Sequence, residues 1–392
     1  MIATLARAFL AVLLLLPATA LADDREALLI SQIRMLTLKF DNIANRDSSA
    51  PMDLAQSREQ FGNYLRDAAS LGMLSPVLRE HAEIFVLSGG DISVLKPWEE
   101  GLKPGTPEKK LFDGIMAYGR GSTAEAEALL LSLDALTLDP MRGGHLALAQ
   151  ALLASRLSPE RAFGYFDMAR LLLPGTLVEE AALRQIVVLA VRTSNKERFL
   201  SAANSYLSRF RRSAYVPGFE VQLAAHIVRF PGRDGYSILQ ELLAAHPQGW
   251  GRCLACFVAT IAEQSVILGK VDLAIAAARS AMPLVSDGTF EKQRLLLYYG
   301  AALIVTDDFA HGVEALKSVD QGGFDQKDRE LLNASLQLAA KLRETPVQLN
   351  PDQLSVLASE TPKHDRAFVT SNREKEARAA LANADEILKQ AK

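Results

Sequence analysis

The chain has little cysteine, with only Cys253 and Cys256 among its 392 residues. The two are spaced C-x-x-C within WGRCLACFVATIAEQSVIL, a stretch whose apolar run predicts one long helix. Three interpretations of the pair are open: two buried thiols, a local disulfide bond, or a thioredoxin-like redox site. The sequence argues against a redox site, because no strand is predicted ahead of the motif as a thioredoxin fold requires.

Histidine is also scarce, and none of the six histidines stands in a recognisable site. The sequence has no H-E-x-x-H pair and no cysteine–histidine spacing suited to a metal ion. It also has no G-x-S-x-G elbow for a nucleophilic serine and no G-x-x-x-x-G-K-[ST] loop for a phosphate. These absences predict a protein without a metal, a cofactor or catalytic activity. The scattered histidines are His81, His145, His226, His246, His311 and His364.

Neither the charge nor the apolar runs of the chain predict a nucleic-acid partner or a membrane-spanning domain. The formal net charge is −3 at pH 7, which gives no electrostatic reason to expect an anionic polymer or membrane as partner. Beyond the first 22 residues, no segment offers the run of about 20 apolar residues that a spanning helix needs.

The first 22 residues have the composition of a secretory signal peptide. Arg7 is their only charged side chain, an apolar run extends from Ala8 to Leu16, and an A-x-A pattern ends at Ala22. This pattern predicts cleavage after Ala22 and a periplasmic protein with no direct membrane insertion afterwards. An uncleaved anchor is the alternative, although the apolar run is too short to span a bilayer.

The positive signal in the sequence is a regular succession of short breaks between helical segments. From Pro107 onwards, six breaks recur at intervals of 36, 37, 38, 38 and 37 residues. A period this regular predicts helix hairpins stacked on one another in an α-solenoid. The breaks lie near Gly121, Leu157, Ser194, Gly232, Lys270 and Asp307.

The clearest hairpin lies between residues 145 and 185. Ser158-Pro159 predicts a helix start, because the serine side chain can accept a free backbone N–H and proline is tolerated at the first helical position. Thr176, with Glu179 three residues later, predicts a capping box at the start of the next helix.

Other polar and glycine residues in this region have structural interpretations. Glu179 and Glu180 are adjacent, so they diverge by about 100° on a helix and cannot form an acid/base pair. We expect Glu180 to pair with Arg184 one turn later. We expect the glycine pair Gly143-Gly144 to mark a turn.

One basic run and one tryptophan are candidates for contact with a partner. Arg209, Arg211 and Arg212 close a predicted helix, where the helix dipole alone also favours cations. Trp250 stands between two glycines at a predicted helix start. It is interpreted either as an exposed anchor for a partner or as a staple against its own helix.

The remaining patterns divide the chain into five segments. The stretch after the last hairpins loses its hydrophobic pattern, and the final residues regain an amphipathic helical stripe that we expect to dock on the array or on a partner. The predicted segments are a signal peptide at 1–22, an N-terminal helical cap at 23–106, a helical repeat array at 107–343, a linker at 344–373 and an amphipathic helix at 374–392.

Small residues on the second helices make the array resemble the tetratricopeptide-repeat (TPR) superfamily. Gly269, Ala274 and Ala278 match its small-residue pattern best. The period of about 37 residues is longer than the 34 residues typical of that superfamily. The predicted fold is therefore all-α, a degenerate TPR-like α-solenoid of about six stacked antiparallel helix hairpins with an N-terminal helical cap.

Two stretches, together with the signal peptide and the chain length, resemble the MotC family of periplasmic motility proteins of rhizobia and related bacteria. They are GGHLALAQALLASRLSPERAFGYFDMARLLLPGTLVEEAALRQ and RFLSAANSYLSRFRRSAYVPGF. The resemblance runs from about Leu28 to Leu342 and is densest between Gly143 and Phe219. It implies a non-catalytic periplasmic protein that associates with the periplasmic part of the flagellar stator subunit MotB and supports flagellar rotation.

Two other classes of function are compatible with the residues. A general envelope scaffold for cell-wall or outer-membrane assembly would share every feature of the sequence and differ only in its partner. A periplasmic cell-wall enzyme with a helical superstructure would need a catalytic domain, and we expect none after Arg343.

Overall fold

A computed structural model describes residues 18–45, 54–246 and 254–344 of the chain. Within these ranges the chain forms α-helices, short 3-10 helices and turns, and contains no β-strand. The α-helices are α1 (Ala18–Asn45), α2 (Leu54–Ser70), α3 (Pro76–Leu87), α4 (Pro107–Gly119), α5 (Thr123–Leu130), α6 (Pro140–Ala154), α7 (Pro159–Leu172), α8 (Leu177–Arg192), α9 (Lys196–Arg209), α10 (Val216–Arg229), α11 (Asp234–Ala245), α12 (Leu254–Ile267), α13 (Val271–Ala281), α14 (Phe290–Leu303), α15 (Phe309–Lys317) and α16 (Gln326–Glu344).

Several predicted features fall outside the described residues. They are Trp250, Cys253, residues 1–17 of the predicted signal peptide, residues 345–373 of the predicted linker and the predicted helix at 374–392. The rest of the predicted signal peptide, residues 18–22, forms the beginning of α1.

The six predicted breaks are confirmed, because each separates the two helices of one hairpin. The hairpins are α4–α5, α6–α7, α8–α9, α10–α11, α12–α13 and α14–α15. At three of the breaks the turn contains a glycine with positive φ: Gly121 at 75°, Gly232 at 54° and Gly269 at 67°. A residue with a Cβ is strained in this left-handed conformation, so glycine ends these helices at little cost.

Helix starts are specified by side-chain caps followed by proline. Ser75, Thr106, Asp139 and Ser158 each accept a backbone N–H from the first turn, and each precedes a proline at the first helical position.

The predicted capping box at Thr176 is only partly correct. Thr176 accepts the N–H of Val178, whereas the Glu179 carboxylate accepts the N–H of Gly175 at 2.6 Å, one residue before the expected donor.

Successive hairpins stack into two layers, which makes the fold an all-α, TPR-like solenoid. The first helices form one layer, in which α6 packs on α8, α8 on α10, α10 on α12 and α12 on α14. The second helices form the other layer, in which α9 packs on α11 and α11 on α13. This arrangement presents the first-helix layer as a continuous surface built from different hairpins.

Glycines set how closely the two helices of a hairpin approach. In four hairpins, a Cβ built on one glycine would lie 2.4 to 2.8 Å from an atom across the pair. At Gly235 the nearest atom belongs to the backbone, so a larger residue would displace the neighbouring helix; at the other three glycines a leucine side chain would have to shift first. The glycines and the atoms they face are Gly114 and Leu130, Gly144 and Leu173, Gly235 and the carbonyl oxygen of Ile227, and Gly300 and Leu316.

The interpretation of Gly143-Gly144 as a turn was wrong. Both residues are buried within α6, and an added Cβ on Gly143 would lie 2.5 Å from the carbonyl oxygen of Ala135. The pair permits a close tertiary contact that the local pattern does not reveal. By contrast Ala274 and Ala278, predicted as small packing residues, are fully buried in α13.

The three N-terminal helices pack along the array as well as on one another. Helix α1 contacts α8, while α3 contacts both α4 and α6. The hairpins lie in one compact unit that ends at Gln337, and a second unit begins at Leu338 within α16. No helix in the described ranges is both long and apolar enough to cross a membrane.

The glycine contacts yield a prediction for stability. Gly143→Ala should lower the free energy of unfolding by about 1–3 kcal/mol, because the new methyl group meets the Ala135 backbone rather than a movable side chain. The measurement is urea unfolding followed by circular dichroism. Gly164→Ala in α7 is the matched control, since nothing lies within 4 Å of its Cβ position; it should gain about 0.5–1 kcal/mol. Equal stability of the two variants would contradict this account.

Candidate binding cleft

A cleft lies between the N-terminal helices and the first-helix layer of the array. An ion-pair cluster joins α3 to α6, where the Arg142 guanidinium lies 3.1 Å from Glu80 and 2.7 Å from Glu83. In the wall of the cleft itself, the N–H of Leu177 donates to the carboxylate of Asp41 at 3.4 Å. The helices leave a cavity of about 320 Å³. That volume falls within the roughly 300–1,000 Å³ range of ligand-binding pockets.

The walls of the cleft are mostly apolar, with a few polar groups. α1, α2, α3, α6 and α8 all contribute to it. Its polar groups include two arginines, one aspartate and one histidine: Arg58, Arg184, Asp41 and His145. The apolar and aromatic walls are formed by Phe61, Ile84, Phe85, Leu87, Met141, Leu148, Leu173, Leu177, Val178, Ala181 and Tyr215.

Burial shifts two titratable groups of the cleft toward their neutral forms. It raises the pKa of Asp41, against the smaller opposing effect of its hydrogen bond from Leu177. It also lowers the pKa of His145, although the backbone carbonyl of Met141 acts in the opposite direction. The Nδ1 of His145 lies 2.8 Å from that carbonyl oxygen. A carbonyl can only accept, so Nδ1 carries the proton and Nε2 of the neutral ring is an acceptor.

Arg184 is the cation held by the array side of the cleft. Its guanidinium carbon lies 4.5 Å from the centroid of the Tyr215 ring, a cation–π contact. Its Nε is buried and has no hydrogen-bond partner among the described residues. The predicted ion pair with Glu180 is not formed, although Arg184 still favours the ionised form of that carboxyl through space.

Glu180 instead anchors a buried hydrogen-bond network behind the cleft. Its Oε1 accepts from the hydroxyl of Tyr206 at 2.7 Å and from that of Ser213 at 2.5 Å. Burial raises the pKa of Glu180, while the two hydroxyl donors and Arg184 act to lower it. Burial and the nearby carboxylate raise the pKa of Tyr206, which keeps its hydroxyl protonated as a donor. The network joins α8 to α9 and to the loop before α10.

The predicted partner-contact arginines have separate environments. Arg209 forms an ion pair at 2.9 Å with Glu179, which is almost fully buried. Arg211 and Arg212 are exposed after α9, and within the described ranges no carboxylate lies at ion-pair distance from either. None of the three lines the cleft. Their role in partner contact remains a prediction, as does that of Trp250 outside the described residues.

Cys256 is exposed on α12 and is disulfide-bonded. The interpretation of the cysteines as buried thiols was therefore wrong for this residue. The other cysteine of the chain, Cys253, lies outside the described residues. A bond between the two remains the prediction of the C-x-x-C spacing.

Asp41, His145 and Arg184 were not predicted as members of one site. They come from α1, α6 and α8 and meet only because the N-terminal helices fold back along the array. The sequence held only a weak signal for this site, a polar side chain on an otherwise apolar helix. Such a side chain usually indicates a position that faces solvent. Among the described residues, no group of three or more His, Cys, Asp or Glu side chains is arranged to hold a metal ion.

The stacked hairpins define the class of this protein, a TPR-like helical-repeat protein. The chain belongs to the MotC family, described as chemotaxis protein MotC, which matches residues 1–392. It is 26% identical over 341 residues to chemotaxis protein MotC of Rhizobium meliloti (strain 1021), covering 86% of this chain and 77% of that protein. The resemblance seen in the sequence is thus confirmed.

One solved structure is also similar, the crystal structure of the P58(IPK) TPR domain. The match covers 76% of this chain and 82% of that chain, with 16% sequence identity and a TM-score of 0.24. The helices and contacts described above define the fold of this chain.

The Glu180 network yields a prediction for stability. Tyr206→Phe removes one of the two hydroxyl donors to a buried carboxyl and should lower the free energy of unfolding by about 1.5–3 kcal/mol. Tyr236→Phe is the control, because its side chain is exposed and the change should stay within about 0.5 kcal/mol. Chemical unfolding of both variants tests this, and a Tyr206→Phe protein as stable as the control would contradict it.

A second prediction concerns pH. Burial raises the pKa of Glu220 in α10 from 4.5 to about 7, and its Oε1 has no hydrogen-bond partner among the described residues. The folded state then binds a proton more tightly than the unfolded state, so this carboxyl lowers stability as pH rises from 4.5 through 7.

Glu220→Gln should therefore match the wild type below pH 4.5. Above pH 7 it should be more stable by about 1 kcal/mol, a value reduced for the partial exposure of the side chain. Urea unfolding at a series of pH values gives the difference. A difference that does not change with pH would show that Glu220 titrates normally.

Proposed function

We propose that this chain is a non-catalytic motility protein of the periplasm that binds the periplasmic part of the flagellar stator subunit MotB and supports flagellar rotation. The main support for this proposal is that the chain belongs to the chemotaxis protein MotC family over residues 1–392. Membership of this family supports a role in motility. The array and its cleft support a binding role, since helical repeats offer extended surfaces to protein partners.

Two features support a periplasmic location. The N-terminal sequence has the charge, apolar run and small-residue site of a cleaved secretory signal. Cys256 is disulfide-bonded, and structural disulfides persist in oxidising compartments such as the bacterial periplasm. A C-x-x-C disulfide between Cys253 and Cys256 would then brace the start of α12.

The mechanism proposed for this protein is conformational. If the stator subunit has two conformations, a helical array that binds one of them more tightly stabilises that conformation. The size of the effect is the difference between the array's affinities for the two conformations. Ion conduction and torque generation then remain with the membrane subunits, and this chain supplies no chemical step.

The binding proposal predicts that the mature chain, from Asp23 onwards, captures the purified periplasmic part of MotB in a pull-down. The control for non-specific adsorption is the same immobilised mature chain incubated with an unrelated periplasmic protein in place of MotB. If MotB is captured neither in salt-free buffer nor at physiological ionic strength, the proposed partner is wrong.

The physiological proposal predicts that a clean deletion strain does not swim and recovers when the gene is restored. Cell fractionation should recover the restored protein with the periplasmic contents. Normal swimming of the deletion strain would overturn the role in flagellar rotation and leave a general envelope scaffold as the function.

A further inference from the structure

Arg184 differs from the other half-buried arginines in having no acceptor. Three arginines elsewhere form ion pairs with buried carboxylates: Arg142 with Glu83 at 2.7 Å, Arg209 with Glu179 at 2.9 Å and Arg294 with Asp328 at 2.9 Å. Among the described residues, no oxygen accepts a hydrogen bond from Arg184, and no carboxylate lies within ion-pair distance of it.

The position of Arg184 makes its free donors available to a ligand. The guanidinium is held in the cleft by its contact with the Tyr215 ring, 4.5 Å from the ring centroid. A guanidinium carries five N–H donors in a planar fork that matches a carboxylate, and stacking on an aromatic ring leaves the edge of that fork free. A buried donor without an acceptor lowers stability, and a ligand that supplies the acceptor removes this cost.

The charges around the cleft favour an acidic ligand. The side chains that line it include two permanent cations, Arg58 and Arg184, and one carboxyl, Asp41, whose pKa is raised by burial. His145 is shifted toward its neutral form. Glu180 lies behind the wall and is already engaged by Tyr206 and Ser213.

The walls and the size of the cleft define the rest of the ligand. Phe61 and Phe85 come from the N-terminal helices, and Leu148, Leu177 and Ala181 come from the array. A cavity of about 320 Å³ is at the lower end of the range for ligand pockets. It accommodates one or two apolar side chains of an extended segment and has no room for a whole helix.

We infer that the cleft binds a short segment of the protein partner in which an apolar side chain stands beside a carboxylate, and that Arg184 pairs with this carboxylate. The apolar side chain occupies the space between Phe85 and Leu148, and the carboxylate forms the charge-assisted hydrogen bonds that Arg184 lacks in the free protein. This inference rests on the proposed function, because it names the part of the partner that the array recognises.

The test measures binding of the periplasmic part of MotB, and of short overlapping peptides that span it, by fluorescence anisotropy. Arg184→Gln should weaken binding by about tenfold or more, as expected for loss of a charge-assisted hydrogen bond. Leu148→Trp should weaken it similarly by filling the cavity. Arg192→Gln is the matched control, because it makes the same change of charge at an exposed position of the same helix.

The peptides test the chemistry of the ligand directly. Those that bind should contain an apolar residue next to Asp or Glu, and replacing that acid by its amide should weaken binding to the wild type but not to Arg184→Gln. This loss of sensitivity in the variant identifies the pair as the interacting partners.

Each result has a separate meaning. If the wild type binds neither MotB nor any peptide, the proposed function fails and this inference fails with it. If the wild type binds and both cleft variants bind equally well, the inference is overturned while the proposed function stands. If Arg184→Gln lowers the free energy of unfolding and leaves binding unchanged, Arg184 serves only to balance Glu180, and the inference is again overturned. Binding of amide-substituted peptides with undiminished affinity overturns it as well.

Discussion

The close approach of the two helices within the hairpins, set by glycine in four of the six, is the constraint on which the rest of the structure depends. Gly114, Gly144, Gly235 and Gly300 occupy positions where a Cβ would meet the opposite helix at less than 3 Å. Dispersion and apolar burial across such contacts are strong only while the backbones remain this close. The spacing of the helices in turn fixes the stacking of successive hairpins, and that stacking forms the layer against which the N-terminal helices close the cleft.

Packing of small residues allows the helices several registers, because it is only weakly directional. Buried carboxylates add specificity for one of these registers. Glu83, Glu180 and Asp328 are each buried and each bind groups from another element: Arg142, the Tyr206 and Ser213 hydroxyls, and Tyr298 with Arg294. A hairpin that slipped by one turn would leave such a carboxyl without its donors, which costs more than the slip gains in apolar contact. The polar links therefore favour one register among several that apolar packing alone would allow.

Local features of the fold were predictable from the sequence and long-range features were not. The six breaks were predicted correctly because glycine at positive φ and Ser-Pro or Thr-Pro starts act within a few residues of themselves, as at Gly121 and Ser158. The pair Gly143-Gly144 was misjudged because glycine is required there by contacts with the carbonyl of Ala135 and with a neighbouring helix. A pattern within one helix does not contain these contacts. The cleft was missed for the same reason, since Asp41 and Arg184 are brought together only by the complete fold. Glu180 illustrates the limit within one helix: its spacing from Arg184 is right for an ion pair, but two hydroxyls from later elements satisfy it instead.

The contacts of α1 with α8 and of α3 with α6 have a consequence for the order of folding. Helix α1 meets its contact in the array only when the chain extends to α8, residues 177–192. Closing a loop of this length costs more chain entropy than forming a local hairpin. The array consists of local hairpins that need no such closure. We therefore expect the contact of α1 with α8 to form later than the contacts within the hairpins, so that α1 is the part of the first half of the chain that loop closure delays most.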